Sequence, residues 1–327
     1  MISIVIVTWN SKKVLEDCVS SLFALVPEKD FELILVDNDS QDKAYLDVYR
    51  HKPNVRVILN GGNLGFAKAV NIGFREASGE YFLALNPDMI FVSNPFPRLI
   101  SELNKDPKIG VIGPLLHGTD GQPQVKYFYP TLPSISQFII MRSLISVIPP
   151  FPALALRFFH ARIGASGIYY VDQIPGAFLL FHRDLFGTAV LNEAYFIWME
   201  DVDFCLQVHR RGLKVAVVAD EKIIHIGGSS FKMWDAPLKL KVFTRSYLTY
   251  LRMNFGFVPY FTHVLVMVLN SLSFFLLFPR YYSRFGFNGM VKRLGLEKSL
   301  LSIILAHLRV LPGQGRAPLK MKNSFDG

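Results

Sequence analysis

The chain has 327 residues, 51% hydrophobic and 19% charged, which is enough apolar surface for a large core and excludes a disordered polypeptide. Its net charge of +9 is uneven: residues 280–327 carry nine Lys and Arg against Glu297 and Asp326, so the rest is close to neutral. A basic excess confined to one end argues for local contact with an anionic surface, not for a nucleic-acid-binding body. Two cysteines, Cys18 and Cys205, exclude a disulfide framework and a cysteine zinc cluster and point to a reducing compartment.

The first residues, Met-Ile-Ser-Ile-Val-Ile-Val-Thr-Trp-Asn, form an apolar run of strand length without a basic region or a small-residue cleavage site, so no signal peptide is expected. Short β-branched or aromatic runs at Ile2 to Val7, Leu33 to Val36, Val55 to Leu59 and Tyr81 to Leu85 predict buried strands. Between them, Val14, Leu15, Cys18, Val19, Leu22 and Phe23 fall on one helical stripe, with Asn10 or Ser11 placed to cap it. Ala67, Val70 and Phe74 make a second stripe, and Leu99, Ile100 and Leu103 a third. This alternation predicts an α/β fold with a mainly parallel sheet and helices on both faces.

Ligands of such sheets sit at the carboxyl ends of the strands. There the chain carries Thr8-Trp9-Asn10, Asp37-Asn38-Asp39-Ser40, Asn60-Gly61-Gly62-Asn63-Leu64-Gly65 and Asn86-Pro87-Asp88. Any one of these loops is an ordinary turn, but four on one sheet edge point to a site.

The least readable stretch is Tyr127 to Tyr170, rich in proline and apolar runs and dotted with Arg142, Arg157 and Arg162. It reads equally as a lipid-facing segment over the site and as a helical subdomain on the sheet. A second block, Gln173 to Ser230, holds Pro175-Gly176-Ala177, Trp198-Met199-Glu200-Asp201-Val202-Asp203, a strand from Lys214 to Val218, and His225-Ile226-Gly227-Gly228-Ser229. Glu200, Asp201 and Asp203 lie among apolar residues, where desolvation and mutual repulsion would raise a carboxylate pKa and suit a general base. The same acids would also suit the positive end of a helix dipole.

Residues 257–278 are 22 positions without a formal charge apart from His263. As a helix they would extend roughly 33 Å, near the hydrocarbon thickness of a bilayer. Lys239, Lys241, Arg245 and Arg252 before the segment and Arg280, Arg284, Lys292 and Arg293 after it give no charge asymmetry. An in-plane or re-entrant segment is therefore expected over a simple crossing, with a buried core helix as the other reading. Leu300 to Leu311 is too short to span and reads as interfacial.

The ordered set Ser3-Ile4-Val5-Ile6-Val7-Thr8-Trp9-Asn10, Val36-Asp37-Asn38-Asp39-Ser40, Asn63-Leu64-Gly65-Phe66-Ala67, Asn86-Pro87-Asp88, Pro175-Gly176-Ala177, Glu200-Asp201-Val202-Asp203 and His225-Ile226-Gly227-Gly228-Ser229 resembles the inverting family 2 glycosyltransferases of the GT-A fold. The Thr-Trp-Asn, Val-Asp-Asn and Asn-Pro-Asp variants are similar to the rhamnosyltransferase-like branch, whose members commonly use dTDP-L-rhamnose and lipid-linked glycan acceptors. The resemblance implies a catalytic domain over 1–256, with a nucleotide-sugar half (1–115), an apolar insertion (116–172) and an acceptor half (173–256). An apolar membrane segment (257–279) and a basic tail (280–327) would follow. The implied location is the cytoplasmic face of the cell membrane, peripheral or re-entrant.

Residue by residue, the resemblance implies that Thr8, Asn10, Asp37, Asp39, Asn63, Gly65, Phe66 and Asn86 surround the nucleotide-sugar, with loop amides near Gly65 facing its diphosphate. Asp88 and His225 would hold Mg²⁺ or Mn²⁺. Asp201 would be the base, with Gly176, Ala177, Trp198, Glu200 and Asp203 on the acceptor side. Asn86 departs from the pattern, since many relatives carry Asp there; the cation would then rely on Asp88, diphosphate oxygens, water and His225. The expected partners are a nucleotide-sugar donor, a lipid-linked glycan acceptor and a membrane surface, and no nucleic acid. A polyprenyl-phosphate acceptor with a UDP- or GDP-sugar is the alternative. An inactive sugar-nucleotide-binding protein is disfavoured by the presence of Asp37, Asp88, Asp201 and His225.

Overall fold

The computed structural model describes residues 1–125, 163–228, 234–276, 295, 298 and 301–305. These fall into two compact units, Met1–Asp235 and Ala236–Gly327. Most of Tyr127 to Tyr170 and of the basic tail, on which two expectations fell, lies outside the described residues.

In the first unit nine strands form one sheet: β1 (Ile2–Thr8), β2 (Phe31–Asp37), β3 (Val55–Leu59), β4 (Tyr81–Leu85), β5 (Met89–Phe91), β6 (Ile109–His117), β7 (Ile168–Val171), β8 (Phe178–His182) and β9 (Lys214–His225). Their order is β3-β2-β1-β4-β8-β6-β9-β5, with β7 also on β9. Every residue of β1 and β4 is buried, as continuous apolar runs require in a sheet covered on both faces. Helices α1 (Lys12–Leu25), α2 (Asp47–Arg50), α3 (Phe66–Glu76), α4 (Phe96–Lys105) and α5 (Glu200–Arg210) accompany it. The expected stripes are the buried ones: Leu15, Cys18, Val19 and Leu22 in α1, Ala67, Val70 and Phe74 in α3, and Leu99 and Leu103 in α4. Burial pushes the Cys18 thiol up to about 12 and raises that of Cys205, so both are unreactive core residues.

Two local expectations are corrected. The sheet is mixed: β1, β2, β3 and β4 pair in parallel, but β8 runs antiparallel to β4 and β6, and β5 and β7 run antiparallel to β9. An apolar run such as Phe178 to Phe181 marks a buried strand without fixing its direction. Ser11 stands at the start of α1 but gives it no side-chain cap; its hydroxyl donates to the Trp9 carbonyl instead.

β9 continues past Val218 to His225. Its pairing with β6 shifts register where Pro114 faces Val218 and Leu115 faces Lys222, so the polar Asp220 and Glu221 fall within the irregularity. That extension matters for the site. It brings His225 opposite Met89 of β5, and the Ile226 N–H donates to the Asp88 carbonyl.

In the second unit α6 (Ala236–Phe255) and α7 (Phe257–Leu276) are separated by Gly256, whose φ of 83° is a left-handed helix terminus. The ring of Tyr247 meets that of His263 edge-on at 5.6 Å. Tyr260, His263, Val264, Met267 and Ser271 form the buried face of α7, while Phe257, Val258, Phe261, Leu265, Leu269 and Leu272 are exposed. Among the described residues no helix is long and apolar enough to cross a membrane.

Candidate active site

The loops after β1, β2 and β3 are fastened to one another by short polar side chains. Asn38 is buried, and its Nδ2 donates to Asn63 Oδ1 and to the Gly65 carbonyl, both at 3.1 Å. Its Oδ1 accepts from Asn60 Nδ2 at 2.9 Å and from the Leu64 N–H at 3.2 Å. Asp37 is buried and accepts from the Ser40 hydroxyl and N–H. Ser40 also accepts from the Asn10 N–H at 2.8 Å, and Asn10 Oδ1 accepts from the Gln41 N–H. Thr8 and Tyr45 hydroxyls meet at 2.9 Å. Asp39, at a left-handed φ of 68°, faces solvent and pairs with Lys43 at 2.6 Å.

Gly65 occupies a position no other residue fits. Its φ is 85°, and a Cβ there would stand 2.5 Å from the Phe196 carbonyl oxygen. That same carbonyl accepts from the Phe66 N–H at 2.7 Å, while the Gly65 N–H donates to Asn63 Oδ1. The amides of residues 64, 65 and 66 are thus all committed within the protein. The expected amide cradle for a diphosphate is not offered by this turn, which presents side chains and shape instead.

Asp88 follows β4 and is buried; its Oδ1 lies 3.6 Å from Nε2 of the buried His225. Burial holds the His225 pKa below its ordinary value, with the Asp88 charge acting the other way. His225 Nδ1 lies 2.9 Å from Gln124 Oε1. One carboxylate oxygen and one imidazole nitrogen on a common side fit a divalent cation that completes its shell with diphosphate oxygens and water. Among the described residues no group of three His, Cys, Asp or Glu forms a self-sufficient metal cage.

The two sides of the site are linked through main-chain groups. The Asn86 N–H donates to the Ala177 carbonyl at 3.0 Å, and the neighbouring Gly176 N–H donates to Asp201 Oδ2 at 3.0 Å. Asp201 Oδ1 accepts from the Val202 N–H at 2.8 Å. Burial raises the Asp201 pKa while these N–H donors oppose the rise. Glu200 is buried, its pKa is raised well above the ordinary value by burial and then by the Asp201 charge, and its Oε2 has no hydrogen-bond partner. Of the pair, Asp201 has N–H donors on both oxygens, which favours its charged form over that of Glu200. Asp203 is buried in the same helical turn. Just before it, Trp198 and Met199 hold left-handed φ values of 64° and 71°, a strained entry into α5.

An open cleft is lined by Val7, Trp9, Asn38, Asn63, Gly65, Phe66, Asn86, Pro87, Asp88, Phe196, Ile197, Gly228 and Trp234. It encloses about 670 Å³ of empty space, counting the part open to solvent. Of the expected donor residues, Asn63, Gly65, Phe66, Asn86 and Asp88 line it. Thr8, Asn10, Asp37 and Asp39 stand in the adjoining loop network, and His225 enters through Asp88. Sequence reasoning did not single out Asn38, Phe196, Trp234 or Gln124. Asn38 sits in the quoted Val-Asp-Asn-Asp-Ser motif, whereas Trp234, whose ring meets Trp198 edge-on at 5.9 Å, is an isolated aromatic with no pattern around it.

Residues 3–163 match the model of the family described as Glycosyl transferase family 2. Over 239 residues the chain is 26% identical to an N-acetylglucosaminyl-diphospho-decaprenol L-rhamnosyltransferase of Mycobacterium tuberculosis, covering 69% of this chain and 76% of the relative. A mannosyltransferase from Pyrobaculum calidifontis, solved in complex with GDP-Man and Mn²⁺, shares the fold with a TM-score of 0.53 at 11% identity, over 94% of this chain and 86% of that one. GalNAc-T7, solved with UDP, GalNAc and Mn²⁺, has a TM-score of 0.52 at 21% identity, over 69% of this chain and 43% of its own.

Proposed function

The chain is a family 2 glycosyltransferase, and from that premise we propose that it moves L-rhamnose from dTDP-L-rhamnose to a lipid-linked or cell-envelope glycan, inverting the anomeric centre. The choice of rhamnose and of a lipid-linked acceptor is supported by the mycobacterial relative. The observation that carries the catalytic reading is the main-chain bridge from Asn86 through Ala177 and Gly176 to Asp201, which ties the expected donor loop to the expected base.

The donor would lie in the cleft against Asn63, Phe66 and Asn86, with its diphosphate toward Asp88. A divalent cation held by Asp88 and His225 would neutralise the charge that builds on the departing diphosphate. The acceptor hydroxyl attacks C1 from the face opposite the leaving group and gives its proton to Asp201. Gly176 and Val202 N–H groups keep that carboxylate oriented, and its raised pKa improves it as a base near neutral pH. One displacement inverts the centre, so no second nucleophilic carboxylate is needed; Glu200, protonated beside it, adds no competing charge.

The test uses the purified full chain with a polyprenyl-diphosphate-linked N-acetylglucosamine acceptor, offered dTDP-L-rhamnose, UDP-N-acetylglucosamine and GDP-mannose with Mg²⁺ or Mn²⁺. Transfer of rhamnose alone is the expected result. Transfer from a UDP- or GDP-sugar alone would replace the donor assignment and keep the transferase.

We infer as well that α7 rests in the plane of an anionic bilayer surface. The exposed stripe of Phe257, Phe261, Leu265, Leu269 and Leu272 and the Lys and Arg surplus of residues 280–327 support this. Replacing Phe261 and Leu265 by serine should weaken binding to phosphatidylglycerol vesicles while transfer to a short soluble acceptor persists. Unchanged vesicle binding would remove α7 from the contact.

A further inference from the structure

Gln124 belongs to none of the motifs, yet its side chain makes two hydrogen bonds to His225. The chain leaves β6 at His117 and turns back through Gly118 to Gln122, where the Gly118 N–H donates to the Gln122 carbonyl at 2.8 Å. The Gln124 N–H then donates to the Leu116 carbonyl, also at 2.8 Å, which seats the residue beside the end of β6. Because His117 of β6 is the register partner of Ile224 in β9, this return places Gln124 next to His225.

The side-chain amide makes two bonds to the same residue. Its Nε2 donates to the His225 carbonyl at 2.8 Å, so the atom 2.9 Å from His225 Nδ1 is the amide oxygen. An amide oxygen only accepts, so Nδ1 has to carry the hydrogen. In the neutral ring, Nε2 is then a lone pair, and it faces a carboxylate oxygen of Asp88 at 3.6 Å. Two acceptors facing each other need a positive charge between them, which is the arrangement expected of two ligands of one cation.

We propose that Gln124 is the positioning residue of the cation site: by accepting from Nδ1 and donating to the His225 carbonyl, it fixes the His225 tautomer and aims Nε2 at the ion shared with Asp88. This rests on the assignment of Asp88 and His225 as cation ligands. Gln124 acts through His225 and is not itself assigned as a ligand.

Two measurements on the full chain separate the claims. The first is the tautomer of His225 in metal-free protein, read from ¹⁵N-histidine long-range correlation spectra, its signal identified by loss in His225→Gln. The Nδ1–H form is expected in the native protein, a mixture of tautomers in Gln124→Met, and the Nδ1–H form again in Gln124→Glu, which keeps the acceptor. The second is the affinity for Mn²⁺ alone, read by electron paramagnetic resonance. Gln124→Met should weaken it about 10- to 100-fold, the usual scale for losing a partner behind a metal-binding histidine, and Gln124→Glu should restore most of it. An unchanged tautomer and Mn²⁺ affinity in Gln124→Met, or equal losses in both variants, would overturn the positioning role. Asp88→Asn is the control for the premise: Mn²⁺ affinity unaffected by it would remove the cation site itself, whereas loss in Asp88→Asn with none in Gln124→Met would remove only the role of Gln124.

Discussion

Asn38 and Glu200 are both buried polar side chains at the mouth of one sheet, and they are treated in opposite ways. Asn38 uses its amide oxygen and nitrogen four times over, binding the loops after β2 and β3 to each other. Glu200 is left with an oxygen that has no hydrogen-bond partner, beside a second carboxylate and directly after two left-handed residues. The donor side is therefore rigid before a ligand arrives, while the acceptor side holds groups whose burial costs free energy. The same burial raises the Asp201 pKa, which suits a base, while the Gly176 and Val202 N–H groups hold its carboxylate in place.

The largest loss is expected at Asp88. Asp88→Asn removes the charged half of the proposed cation site, worth several kcal/mol of transition-state stabilisation, so turnover should fall by roughly 10³-fold. Donor affinity measured with Mn²⁺ should weaken with it. Asn38→Ala addresses rigidity: it orphans the buried Asn60 amide, at a cost of about 1–3 kcal/mol, while the Gly65 carbonyl keeps the Ala69 N–H. Denaturant unfolding should show that loss, and donor affinity should drop alongside it; unchanged stability would mean that the loops hold without the latch.

Glu200→Gln probes the costly side, with the smallest expected effect. The folded-state pKa of Glu200 is raised above its ordinary 4.5, so its contribution to stability is complete below that value and is lost as pH rises toward the folded pKa. A neutral glutamine escapes that loss. The variant should be more stable than the native chain at pH 8, with the gap closing toward pH 4, as thermal unfolding across this range would show. A gap independent of pH would mean that Glu200 is ionised in the folded protein.

Much of this arrangement is written in local pattern. The runs at Val55 to Leu59 and Tyr81 to Leu85 become β3 and β4 with the same ends; β4 is buried throughout, as continuous apolar runs allow, whereas β3, expected to be buried, is the sheet's edge strand, carries Arg56 and stays partly exposed. β9 was expected to stop at Val218, since Asp220 and Glu221 break the apolar pattern; the register shift against β6 accommodates them and the strand reaches His225. The directions of β8, β7 and β5 are set by pairing with strands distant in sequence and carry no periodic signal. The polar loops were visible as clusters of Asn, Asp and Gly. Which of their side chains face the cleft and which hold the loops was not, because Asp37, Asn38 and Asp39 are chemically alike and only their position in the folded turn separates them. Gln124 shows the same limit: its role arises from a return along β6 beside a strand about a hundred residues later.

In the proposed mechanism Asp201 takes the acceptor proton while the donor is held by separate residues. It is tested most directly by single-turnover transfer of radiolabelled rhamnose from dTDP-L-rhamnose in Asp201→Asn, with calorimetric donor affinity measured on the same sample. The transfer rate should be lower by about 10²-fold or more with donor affinity kept, the scale of a lost general base. A transfer rate equal to that of the native chain would contradict it.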